Sequence, residues 1–65
     1  MQAEYFFYQS NMLVYQGVLP RDLVHLNSIL TIGDEKKPIL KGRVFQIINR
    51  GSNNSALLER HIYIE

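Results

Sequence analysis

Residues 36–50, KKPILKGRVFQIINR, hold five cations: Lys36, Lys37, Lys41, Arg43 and Arg50. No acidic side chain interrupts them. On an extended chain alternate residues share a face, so Lys41 and Arg43 stand on one side with Phe45 next along it. Single-stranded nucleic acids are held this way, with cations tracking phosphates and a ring stacking on a base. These five residues are the candidate nucleic-acid contacts. Against that chemistry, Asp34 and Glu35 directly precede the lysines, and the formal net charge is only +1. Dedicated nucleic-acid domains are far more basic. Charges along a strand also protect it from edge-to-edge association. A structural strand with solvated charges is therefore the favoured expectation, and nucleic-acid binding the alternative.

Other chemistry finds less support. The chain has no cysteine, which excludes disulfides and thiolate metal sites. His25 and His61 are its two histidines and lie far apart in sequence, too few for a three- or four-ligand metal centre. Asp22 precedes His25 by one helical turn, but no nucleophile completes the pair. None of Ser10, Ser28, Ser52 and Ser55 lies in a G-x-S-x-G elbow. Glu4, Glu59 and Glu65 gather only if the terminal strands are neighbours, and a hydrolytic carboxylate pair needs a cleft. Gly33, Gly42 and Gly51 are isolated, so no phosphate-binding loop is present. The expectation is no catalytic residue, no cofactor and no metal: the chain is not an enzyme.

The elements that must carry any site are strands. AEYFFYQ (3–9) and MLVYQGVL (12–19) are two apolar runs rich in β-formers, separated by Ser10-Asn11, the spacing of a two-residue hairpin. Gly17 inside the second marks a bulge or a close backbone approach. PRDLVHLNS (20–28) is a turn holding at most one helical turn near residues 20–27, with Pro20 at its start and Leu23 and Leu26 on one side. ILTIG (29–33) is a third strand. ILKGRVFQIIN (39–49) is a long fourth, bent at Gly42. RGSNNS (50–55) is a polar hairpin tip, and ALLERHIYIE (56–65) a fifth strand whose alternating end pairs with the fourth. Sixty-five residues make one domain, 1–65. The expected fold is all-β: a five-stranded antiparallel meander forming a small SH3-like barrel or a strongly curved sheet. An oligonucleotide-binding barrel is the neighbouring expectation, but GDEKKP (33–38) leaves no room for its helix.

Sorting side chains by alternation exposes an excess of apolar surface. Tyr5 and Phe7 oppose Glu4, Phe6 and Tyr8. Met12, Val14 and Val18 oppose Leu13, Tyr15 and Leu19. Ile39, Phe45 and Ile47 oppose Leu40, Val44 and Ile48. Only the last strand separates cleanly, with Ile62 and Ile64 against His61, Tyr63 and Glu65. A chain this short cannot cover both faces, and each bulky side chain left in water forgoes about 1.5–3 kcal/mol. A second copy resolves the excess, so the chain is expected to be a homodimer or higher oligomer. The leading functional expectation is a non-catalytic protein-interaction or accessory module acting as a homo-oligomer. Its contact residues toward an unknown protein partner are Tyr5, Phe6, Tyr8, Leu13, Tyr15 and Phe45.

The run YFFY (5–8), the TIGD of 31–34 and the closing IYIE (62–65) resemble a class of very short all-β, SH3-like small-barrel proteins of unknown function from bacterial, phage and mobile-element genomes. The resemblance implies a fold and no activity. No apolar run approaches the roughly 20 residues that span a bilayer. MQAEYFFYQ lacks the basic and apolar regions of a secretory signal, so a cytoplasmic location without membrane contact is expected.

Overall fold

A computed structural model describes residues 1–51 and 57–65. The protein is all-β, with five strands: β1 (Gln2–Gln9), β2 (Met12–Pro20), β3 (Ile29–Gly33), β4 (Pro38–Arg50) and β5 (Leu58–Ile64). They form one sheet of order β2-β1-β5-β4-β3, curled into a half-barrel with β2 and β3 at its edges. Neighbouring strands are antiparallel except the central pair, β1 and β5, which run parallel from Ala3 beside Leu58 to Gln9 beside Ile64. The strand order therefore differs from the consecutive order of a meander.

Local chemistry explains the turns. Ser10 and Asn11 both adopt left-handed backbone angles, φ 53° and 62°. That is the requirement of a type I′ hairpin turn, whose twist matches the strands it joins. Residues 20–28 contain no helix. Pro20 ends β2, and turns closed by Leu23 N–H on Pro20 O and Ser28 N–H on His25 O carry the chain across to the opposite edge. The sequence-expected pair Leu23 and Leu26 is exposed, and Val24 is buried instead. A strap this short has no core-facing helical stripe; one side chain plugs the half-barrel.

The core lies between the concave face and this strap. It comprises Ala3, Tyr5 and Phe7 of β1, Leu40 and Val44 of β4, Ile62 and Ile64 of β5, and Val24. Tyr15, Leu19, Leu30, Ile32, Ile47 and Leu58 pack around it. Gly42 admits the end of the chain: an added Cβ would lie 2.3 Å from Glu65 O and 2.6 Å from Ile64 Cγ2. The irregularity in β4 falls not at Gly42 but between Val44 and Gln46. An extra residue there shifts the alternation. Val44 and Ile47 consequently both turn inward and Ile48 turns outward, the reverse of what simple alternation assigns to Ile47 and Ile48, while Phe45 stays on the outer side. A second irregularity, opposite Phe7 and Tyr8, lies on β2 at Val14, not at Gly17. Gly17 is instead covered by the Tyr15 ring, 3.2 Å from where a Cβ would stand. The expected tip 50–55 falls largely outside the described residues.

Candidate functional site

The convex face of the sheet carries an ordered aromatic row. Parallel pairing sets Phe6 beside His61 and Tyr8 beside Tyr63. The Phe6 and His61 rings are 4.5 Å apart and stacked, and Tyr8 and Tyr63 stack at 4.7 Å. Tyr8 also lies against His61 at 5.8 Å, and Phe45 tilts onto Tyr63 at 6.5 Å. Stacked and tilted arrangements of this kind match the ring quadrupoles.

Hydrogen bonds lock the row. The Tyr8 hydroxyl lies 2.8 Å from His61 Nδ1, and His61 Nε2 lies 3.0 Å from Glu59 Oε1. Burial, followed by Tyr63 and Glu59, pushes the Tyr8 phenol above its ordinary pKa, with Arg50 offsetting part of the effect. A carboxylate oxygen only accepts, so His61 Nε2 donates to Glu59, and in the neutral imidazole Nδ1 then accepts from the Tyr8 hydroxyl. Both imidazole nitrogens are thus engaged. Glu4 and Glu59 stand in register on the same face, as their strands' adjacency requires, and Arg50 is in register with Glu59 on the other side. Glu4 accepts a hydrogen bond from Gln16 at 3.1 Å.

At one end of the row opens a cleft of about 640 Å³. Tyr8, Tyr63 and Phe45 supply its aromatic wall, Met12, Leu13 and Val14 its apolar wall, and the Ser10-Asn11 turn and Glu65 its polar rim. Neither histidine lines it. Among the described residues no cluster of His, Asp and Glu is placed to hold a metal ion. The cleft offers flat apolar surface with polar groups at its margin, the chemistry of recognition through side-chain burial.

The sequence-predicted contact residues separate into two groups. Phe6, Tyr8, Leu13 and Phe45 meet on the convex side, the last three around the cleft. Tyr5 does not join them: its ring is fully buried in the core. Its hydroxyl lies 2.8 Å from the carbonyl oxygens of both Pro20 and Arg21, and accepts a hydrogen bond from Arg60 Nη1. Arg60 Nη1 also donates to Arg21 O at 2.7 Å and Val24 O at 3.0 Å, fastening the strap to β5. Tyr15 likewise turns inward and packs on the core. Alternation separated Tyr5 from Phe6 and Tyr8, but only the strap decides which face becomes the interior.

The five cations are not gathered. Lys36 and Lys37 lie in the turn before β4, and Lys41 is exposed on it. Arg43 is bound by Glu65 and by Asn27 Oδ1. Arg50 ends the thirteen-residue strand β4 at its far side, beside Glu59. His25 and Asp22 are both exposed on the strap. Sequence reasoning missed the setting of His61, which alternation marks only as outward-facing; its contacts depend on which strand lies beside β5.

Comparison with protein-family models, with curated proteins and with solved structures finds no match to this chain. Among the described residues no helix is long and apolar enough to cross a membrane.

Proposed function

We infer that this protein is a non-catalytic interaction module that self-associates and receives a segment of a protein partner in the convex-face cleft. The observation that carries this reading is the 640 Å³ cleft, where three aromatic rings face the exposed side chains of Met12 and Leu13. Aromatic anchors beside an apolar wall are the usual seat of binding energy in protein contacts. Phe45, 45% exposed at the β4 bulge, is the anchor most available to a partner. The engagement of Arg43 by Glu65 and the distance along β4 to Arg50 weigh against the basic segment as a continuous polyanion track.

The test compares the native chain with a Leu13→Asp, Phe45→Asp double variant in affinity capture, with solution mass and strand content measured for both. Loss of captured protein by a folded variant supports the cleft. Capture of the same proteins by both sinks it. Capture of nucleic acid, with affinity falling steeply with salt, favours the basic segment instead.

A further inference from the structure

We propose that the chain self-associates by antiparallel pairing of β2 with β2 of a second copy along residues 15–19, an inference that rests on the homo-oligomer reading above and assigns its surface. An edge strand presents a row of unpaired N–H and C=O groups, and soluble proteins blunt such edges with short strands, charges, prolines or bulges. The two edges of this sheet are treated differently. Edge strand β3 has five residues, ends at Gly33 and is followed at once by Asp34 and Glu35. Edge strand β2 has nine, with no Asp, Glu, Lys or Arg among them and a proline only at its end. Its bulge lies at Val14, so residues 15–19 beyond it run in unbroken register with β1.

This stretch also suits its own copy. Antiparallel self-pairing sets a strand opposite itself, where like charges would collide. Here the exposed side chains are Gln16 and Val18, while Tyr15 and Leu19 turn to the core. Val18 is 51% exposed, so a neighbouring strand would cover it. Each Glu4 lies one strand further in, already bonded to Gln16. The two copies' Glu4 residues would be three strand spacings apart, about 14 Å, beyond the roughly 8 Å screening length of physiological salt. A strongly charged foreign strand would find no complementary charge on β2; a second β2 meets no mismatch.

Because the chain has no cysteine, single cysteines report the contact cleanly. The variants are Gln16→Cys and Val18→Cys on β2, Ile29→Cys on the other edge and Gln46→Cys on the convex face. Under mild oxidation a disulfide-linked dimer is expected from a β2 variant, singly or when the two are mixed, and none from the others. Val18→Lys, checked for folding by circular dichroism, is expected to weaken the dimer by about tenfold or more in sedimentation equilibrium, since the two introduced charges then become diagonal neighbours across the seam and the apolar contact of Val18 is lost. A native dimer that cross-links only at Ile29→Cys or Gln46→Cys, or whose dissociation constant is unmoved by Val18→Lys, overturns the β2 assignment and leaves the interaction module standing. A native chain that stays monomeric at every concentration overturns self-association itself.

Discussion

Phe6 and Phe7 are neighbours on one strand, as are Tyr5 and Tyr8 a little further apart, yet each pair is split between two different environments. Tyr5 and Phe7 lie in a dry core, stacked at 5.5 Å and closed over by the strap through Val24 and Arg60. Phe6 and Tyr8 stack as closely with His61 and Tyr63, but stay only half-buried, outside the core that the strap closes. The same residue types at the same strand positions thus do opposite work. On the concave side they are consumed in stability; on the convex side they remain as a rigid surface whose outer edge is available for contact.

That contrast can be broken first with a matched pair of truncations. Phe7→Ala should cost about 3–5 kcal/mol, most of what a domain this small possesses, and denaturant titration should find little folded protein. Phe6→Ala should cost only about 1 kcal/mol, the worth of its ring stacking and partial burial. Equal losses would mean the convex row is as much core as the concave one. Next, Arg60→Met keeps the aliphatic stem but leaves Tyr5, Arg21 and Val24 without their shared donor. A loss of about 2–3 kcal/mol in the same titration is expected, because hydrogen bonds to a charged group are the stronger kind.

A third measurement sharpens the convex side by pH. Burial holds the folded Tyr8 phenol above its unfolded pKa of 10.0, so between the two values the native state binds the extra proton. Its contribution is intact below pH 10, roughly the unfolded value, and is lost as pH rises through the folded one. Tyr8→Phe should flatten that alkaline decline, at a cost near neutral pH of about 0.5–1.5 kcal/mol for the lost bond to His61. An unchanged alkaline slope would mean Tyr8 does not titrate as placed. The smallest effect concerns the turn that rims the cleft. Ser10→Asn with Asn11→Gly should raise stability by about 0.5–1 kcal/mol, since both positions have positive φ. A destabilised product would show that the native side chains are needed by the turn.

Much of the fold was legible because strand formation is local. β-Formers in short runs, Ser-Asn between them and a proline at the start of β4 mark four strand boundaries to within a residue or so. The outward setting of His61 and Tyr63 and the burial of Ile62 and Ile64 follow from alternation alone. Alternation failed in β4, where the irregularity after Val44 reverses the expected partners of Ile47 and Ile48. No residue type announces that bulge, since Phe45 and Gln46 suit an ordinary strand equally well. The candidate site was only partly legible. Phe6, Tyr8, Leu13 and Phe45 were identifiable as surplus apolar groups, but Tyr5 and Tyr15 were indistinguishable from them by type.

By itself the sequence determined an all-β domain, the hairpin at Ser10-Asn11 and an apolar excess, because these depend on side-chain types within a few residues of one another. Only the tertiary structure decided that β1 and β5 lie side by side and parallel, that the strap closes one face and leaves the other open, and that Tyr8, His61 and Glu59 become a single hydrogen-bonded chain. Those outcomes depend on pairing between strands separated by most of the chain, where many registers satisfy local preference and only the shared burial of Tyr5, Phe7, Ile62 and Ile64 selects one.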